Sequence, residues 1–480
     1  MRLAICALIP IAASALLTLI RFSSRRARNA FTEAATVLTS LCVFGALLFP
    51  KDGVFECFRI SDEFVCAFRS DGLGAAFIGL AAFLWPFASL YAFEYMSHES
   101  REGQFFTFYT LAYGVTILLA ASANLFTMYI FYECLTLVTL PLVDHGRDKE
   151  SYRAGRAYLT YLIGGASLGF AAMVILSRFT TGSFALGGIL TENAQNHQTL
   201  LLCAFLLSFF GFGAKAAVFP LSRWLPKASV APTPVTALLH AVAVVNAGVF
   251  AVIRATYYCF GAEFLSGTWA QTAAVLFSAF TIAYGAVRAL REGHLKRRLA
   301  WSTVSNLSYM LLAVSLMTEN GMAAGLTHMI FHGVMKIVLF FCAGALLTTG
   351  GITRVSETRG LARSMPVTFL AFAAAGMALT GVPPLCGFLS KYLIISSALN
   401  AGGWAQIVGA GAMIVSAILT AAYIFTVIVP AFYLTPSRSG AQDPGLPMKI
   451  TLIALTAAVV LVSLLSGRIS GWMTAIAGGN

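Results

Sequence analysis

Apolar runs of about 18–25 residues, the length that crosses roughly 30 Å of hydrocarbon, recur along the whole of this sequence. They lie near residues 3–20, 32–50, 72–93, 104–122, 125–143, 156–178, 199–219, 233–256, 269–288, 299–317, 322–348, 366–397, 404–432 and 449–467. No long soluble stretch separates them, so the chain has no room for a nucleotide or redox-cofactor domain of its own. With 59% hydrophobic and 10% charged residues, the expected fold is an all-α integral membrane protein of about 14 transmembrane helices.

The basic residues are placed unevenly. Taking the first connection as cytoplasmic, that side collects Arg21, Arg25, Arg26, Arg28 and Arg101, then Arg147, Lys149, Arg153 and Arg156, then Arg223 and Lys227. It continues through Arg288, Arg291, Lys296, Arg297 and Arg298 to Arg354, Arg359, Arg363, Arg438 and Lys449. The opposite side and its edges hold Arg2, Lys51, Arg59, Arg69, Arg178 and Arg468. The positive-inside rule then puts both termini on the external side of a cell (inner) membrane. The net charge of +12 reads as this topology signal, not as a nucleic-acid footprint. Residues 1–20 are expected to stay as a first span, because their basic cluster follows the apolar run and only Arg2 precedes it.

Most of the nine cysteines lie in apolar spans, where a thiol acts as a small hydrophobe. Cys57 and Cys66 fall instead in the polar segment KDGVFECFRISDEFVCAFRSD, which alternates like a short external hairpin. A disulfide between them and two unpaired loop thiols both fit that pattern. No CxxC cluster occurs, so no iron–sulfur centre is expected.

Two spans are interrupted by proline. The seventh reads GAKAAVFPLSRWLPKASVAPTPVTALLHA and the twelfth reads ALTGVPPLCGFLSKYLII, with Lys215 before Pro220 and Lys391 after Pro384. Helices broken at depth are tolerated only where the freed backbone is buried in protein or lines a wet cavity. A matched pair of such breaks points to a transporter-like repeat. The two lie five spans apart, and an odd offset gives the opposite orientations an inverted repeat requires. The expected organisation is residues 1–97 (helices 1–3 and the hairpin), 98–257 (helices 4–8), 258–433 (helices 9–13) and 434–480 (helix 14).

Seven ionisable side chains sit inside the spans: Glu133, Lys215, His240, His328, His332, Lys336 and Lys391. A mid-membrane charge costs about 2.5–3.5 kcal/mol on insertion scales, so seven of them mark a path for an ion or proton. Glu133 is the one acid read as lying well inside a span, and both a structural and a functional role require a cationic partner, for which Lys215 is the candidate. Gly211, Gly213 and Ala214 leave space around Lys215, and a buried lysine exchanges its proton readily. His240 alone is equally a satisfied core histidine, and Arg254, near the end of its span, reads as an anchor. His328, His332 and Lys336 recur at i, i+4 and i+8 and so share a helical face. The HxxxH spacing suits a metal, but the Glu of HExxH and a third ligand are missing, so no metal is expected. Lys391 lies about two turns from its span's end, and a snorkelling anchor is its other reading.

At these residues the chain resembles the antiporter-like membrane subunits of proton-translocating complexes: the large membrane subunits of respiratory complex I, the Mrp-type cation/proton antiporters and the membrane-bound [NiFe] hydrogenases. The resemblance rests on ECLTLVTLPLV, the two broken segments, LKRRLAWSTVSNLSYM and THMIFHGVMKIVLFF. It implies two inverted five-helix half-channels with broken helices 7 and 12. Glu133 takes the place of the family's fifth-helix glutamate and Lys215 of its seventh-helix lysine. Lys336 with its histidines takes the place of the central relay, and Lys391 of the terminal group. Asn246 departs from the lysine many members carry, leaving His240 and water to bridge. The sequence stops at Asn480, without anything like the lateral helix of the longest complex I member, which favours the shorter members.

The expected activity is proton translocation in a multisubunit redox-driven complex. Protons would be taken up near Lys215, pass along His240, His328, His332 and Lys336 and leave near Lys391, with Glu133 gating Lys215. Other membrane subunits, redox-active peripheral subunits and lipid are the expected partners, with no nucleic acid and no cofactor in this chain. An Mrp-type Na+/H+ antiporter subunit and a structural scaffold are the alternatives.

Overall fold

The computed structural model describes residues 2–49, 53–61, 64–180, 182–435 and 440–479. Lys51 and Arg438, used above for orientation, lie outside the described residues, as does Asn480. In chain order the helices begin α1 (Arg2–Leu19), α2 (Arg25–Leu48), α3 (Gly72–His98), α4 (Glu102–Ala120), α5 (Leu125–Val143), α6 (Lys149–Leu176) and α7 (Glu192–Gly213). Next come α8 (Thr233–Phe260), α9 (Trp269–Arg291), α10 (Leu295–Val314) and α11 (Glu319–Gly350). Then follow α12, in two halves (Pro366–Thr380 and Cys386–Ala401), α13 (Trp404–Tyr433), α14 (Leu446–Leu464) and the short α15 (Ser466–Ala477).

Among the described residues twelve of these helices are long and apolar enough to cross a membrane. The two expected segments outside that count are α10, whose Lys296, Arg297, Arg298 and Ser/Thr/Asn content lowers its hydropathy, and α12, which its break cuts into two short pieces. The ends follow from local chemistry. Ser24, Asp71, Asn124, Asp148, Thr268 and Thr318 each accept a free N–H of the first turn that follows.

Burial sorts the helices into layers. The most apolar window of α8 is wholly buried and that of α11 is 89% buried, against 33–39% for α1, α2, α6, α13 and α14. Every residue of α10 except Arg297 is also buried. These three helices pack on one another and form the axis of the bundle. Lipid supplies no hydrophobic force between helices, so close packing needs small residues. A side-chain carbon on Gly165 of α6 would run into the Ala214 Cβ, and one on Gly211 of α7 into the Gly169 backbone.

The hairpin pairs β1 (Phe55–Arg59) with β2 (Val65–Phe68), antiparallel. An irregularity between Glu56 and Phe58 puts Phe58, not Cys57, opposite Cys66. Cys57 is exposed, Cys66 packs inward, and both thiols are free. Of the two readings, the structure shows the unpaired thiols, with Cys57 at the bulge and within electrostatic reach of Cys66.

Candidate functional site

α7 ends at Gly213, and its freed carbonyls find partners in the turns that follow. Tyr132 Oη donates to the Phe212 carbonyl (2.9 Å), Val218 N–H to Gly213 (3.1 Å) and Trp224 Nε1 to Ala214 (2.8 Å). Lys215 hangs in this break, completely buried, with Nζ donating to the Tyr132 carbonyl of α5 and lying 3.3 Å from the Tyr132 ring centre. The Glu133 carboxylate is 3.9 Å away, too far for a hydrogen bond but close enough for an ion pair. The expected pair therefore exists, with Glu133 at 22% exposure on its outer side.

α8 carries an interruption that sequence reasoning missed. Its helical pattern stops at Ala241 and restarts at Val244. Asn246 Nδ2 donates to the Ala241 carbonyl at 2.9 Å and so caps this gap. His240 sits just before the gap, fully buried, its ring 4.7 Å from that of Phe340 on α11. It lies within electrostatic reach of Lys336 and Lys296.

His328, His332 and Lys336 do line one buried face of α11, and α10 runs beside it. Lys336 Nζ donates to the Leu299 carbonyl (3.0 Å) and to Ser302 Oγ. Seven residues further along α10, the Tyr309 ring is 5.4 Å from the His328 ring. His328 Nδ1 pairs with Ser390 Oγ on the second half of α12 at 2.9 Å. The His328 and His332 rings are 6.0 Å apart. Lys391 Nζ donates to the Leu379 and Thr380 carbonyls, both at 2.8 Å, which caps the first half of α12 where the helix dipole is negative. At 6% exposure and with its ammonium turned inward, Lys391 is not a surface anchor.

Three further expectations need correction. The order along α11 is reversed: Lys336 faces the His240 end and His328 faces Lys391, because α8 packs its His240 against Phe340, one turn past Lys336, while α12 brings Ser390 to His328. Arg254 is no anchor but fully buried, with Nη2 donating to Asp71 Oδ1 at 2.6 Å and the rings of Phe184, Phe250 and Tyr258 around its guanidinium. Burial alone would push the Asp71 carboxyl up, but Arg254 and the Gly74 N–H hold it below the usual carboxylate range. Finally, Glu133 is not the lone acid inside a span. Glu33, nine residues into α2, accepts from Ser89 Oγ at 2.5 Å.

Lys296 was also missed. It reads as one more positive charge in LKRR, yet it is buried and its Nζ donates to the Ala231 carbonyl at 2.8 Å. A cavity of about 210 Å³ lined by Glu150, Ser229, His294 and Lys296 opens beside it. Among the described residues no three His, Cys, Asp or Glu side chains come together as a metal site.

Residues 122–420, which include all seven relay candidates, match the family described as NADH:quinone oxidoreductase/Mrp antiporter, TM, and the chain belongs to that family. The NADH-quinone oxidoreductase subunit N of Desulforudis audaxviator is 31% identical over 422 residues, 83% of this chain and 82% of that protein. Subunit L of the same enzyme in Mycobacterium tuberculosis is 30% identical over 419 residues. That alignment covers 85% of this chain, which spans only 65% of the longer relative. A chain of the Mrp complex from a Dietzia species has the same fold, with TM-score 0.86 and 21% identity over 99% of this chain and 96% of that one.

Proposed function

We propose that this chain moves protons across an energy-transducing membrane as the antiporter-like subunit of a multisubunit, redox-driven complex. One observation carries the reading: buried ionisable groups follow one another from His240, packed against α11, along Lys336, His332 and His328 to Ser390 beside Lys391, while the Lys215 backbone abuts α8 at Gly248. Glu133 and Lys215 stand at the α7 break, and His240 follows at the α8 interruption. Lys336 and His332 continue the line, then His328 through Ser390, and Lys391 ends it at the α12 break.

Several buried polar atoms along this line have no protein partner among the described residues, including both ring nitrogens of His240 and of His332, the Asn246 Oδ1 and the Asn306 Oδ1. Buried polar atoms of this kind are satisfied by ordered water, which supplies the missing links of a proton wire. Each group binds and releases a proton, and no covalent step is needed.

The helices divide into an N-terminal group (1–97), two half-channel units (98–257 and 258–433) and a C-terminal helix (434–480), with both termini external. The driving energy comes from partner subunits; relatives named NADH-quinone oxidoreductase support a redox partner. Likeness to an Mrp complex supports a second reading, cation/proton exchange in an assembly of that type.

The test is Lys215→Ala in the intact complex reconstituted in vesicles. Loss of coupled proton movement with assembly preserved is the expected result. Unchanged pumping sinks the scheme and leaves a scaffold role, while sodium-dependent pumping in the parent complex favours the second reading.

A further inference from the structure

We propose that the crevice where α6 and α9 flank the break after α7 binds one anionic phospholipid. Two cavities lie along it. The first, about 830 Å³, opens where α6 and α10 begin and α9 ends, the side that the basic residues assign to the cytoplasm. Its lining carries Arg153, Arg156, Arg223, Lys227, Arg288 and Arg297, contributed by α6, the segment after the break, α9 and α10. Only Glu150 and Glu292 oppose them, leaving a net charge of +4. Among the described residues none of the six cations has an ion pair or a side-chain hydrogen bond. Arg288 instead lies over the Trp301 ring at 4.9 Å.

The second cavity, about 400 Å³, is apolar and lies deeper between the same helices. Leu168 of α6, Leu206 and Phe210 of α7, Pro220 and Leu221 of the break and Trp269 of α9 line it. Arg156 and Leu168 are twelve residues apart on one continuous helix, about 18 Å at ~1.5 Å per residue. That matches the depth a lipid chain reaches from its phosphate, a little more than half of the roughly 30 Å core. Between the two levels, Phe277 and Phe280 of α9 pack on Phe210 and Phe219 at 4.8 Å each.

Charge and shape select the occupant together. A net charge of +4 at a membrane surface attracts phosphate, and basic pockets between helices on this side suit anionic headgroups. A free phosphate leaves the apolar cavity unfilled, and an acidic protein segment brings no chain to fill it. Tyr161, Tyr284 and Trp301 in the first cavity supply the aromatic belt found at headgroup depth. The lipid spans the break on both sides, with Pro220 beside its chain and Arg223 beside its headgroup. It thus screens the repulsion among the cations and braces the segment that carries Lys215.

The test uses native mass spectrometry of the intact complex titrated with palmitoyl-oleoyl-phosphatidylglycerol, the matching phosphatidylcholine, and inorganic phosphate. Phosphatidylglycerol is expected to bind about tenfold or more tighter than phosphatidylcholine, a preference lost in Arg156→Gln/Arg223→Gln/Arg288→Gln and kept when the same three become lysine. Leu206→Trp, which fills the apolar cavity, is expected to weaken both lipids and leave phosphate binding unchanged. Equal binding of the two lipids by the parent complex overturns the proposal, as does phosphatidylglycerol binding that neither the glutamine variant nor Leu206→Trp alters. A cross-link placing an acidic segment of a neighbouring subunit in the first cavity overturns it as well. If the glutamine variant does not assemble, the parent comparison and Leu206→Trp decide.

Discussion

The imidazole Nδ1 of His328 and the hydroxyl of Ser390 lie 2.9 Å apart, and through this contact the central α11 reaches the second half of α12. One turn separates His328 from His332, and Ser390 directly precedes Lys391. The contact is therefore where the central relay meets its outlet. Replacing Ser390 with alanine removes the contact to His328 and the longer bond its hydroxyl donates to the Gly387 carbonyl, each worth about 1 kcal/mol net, and leaves packing intact. Coupled proton movement in reconstituted vesicles is expected to fall about tenfold, with assembly unchanged and Ser390→Thr retaining most activity. Full activity in the alanine variant rules out this step.

Lys336 is a fully buried amine whose hydrogen bonds go to a carbonyl and a hydroxyl, with no carboxylate partner among its contacts. Burying an ionisable group without a countercharge costs stability, whether it stays charged or gives up its proton, so a methionine of similar length should relieve that cost on folding. Lys336→Met is expected to lose coupled proton movement while its thermal unfolding midpoint stays level or rises. A midpoint that falls with activity would make Lys336 a structural residue.

Arg254 and Asp71 tie the far end of α8 to the start of α3. Removing one partner of a buried pair costs on the order of 3–5 kcal/mol. Arg254→Met is therefore expected to lower the unfolding midpoint more than the joint Asp71→Asn/Arg254→Gln change. Because Asp71 titrates below its ordinary range when folded, its contribution is complete above the unfolded value near 3.9 and fades as pH falls through the lower folded value. Unfolding measured from pH 6 down to about pH 3 should show this acid loss in the parent and a flatter profile in Asp71→Asn.

Gly211 admits the α6 backbone at the close crossing below Lys215. Gly211→Val overfills that contact, at a cost of about 1–3 kcal/mol or more. Reduced recovery of the assembled complex is expected, with the loss seen before any change in turnover per assembled complex. Gly164, whose Cβ position is open, serves as the control, and Gly164→Val should assemble normally.

Much of the site could be read from residue type because the membrane makes polarity conspicuous. Pro220 and Pro384 announced the breaks, and Lys215 and Lys391 stood out against apolar neighbours. The i, i+4, i+8 spacing of α11 set its three polar groups on one face. Lys296 stayed hidden because a lysine in LKRR carries the same letter whether it orients the chain or lies buried against the Ala231 carbonyl. Glu33 and Arg254 were passed over for a similar reason: each sits near a span end, where charge is ordinary, and only packing shows that it is enclosed.

The sequence alone therefore determined the membrane class, the helical architecture, the two breaks and the identity of the seven relay candidates. Those follow from hydropathy, proline chemistry and the cost of charge in lipid, all local properties of the chain. Tertiary structure decided which neighbour each group meets. It reversed the order along α11 and gave Asn246 the carbonyl left free at the α8 interruption. Helical periodicity says which residues share a face, but the partner of that face is set by the direction and packing of another helix.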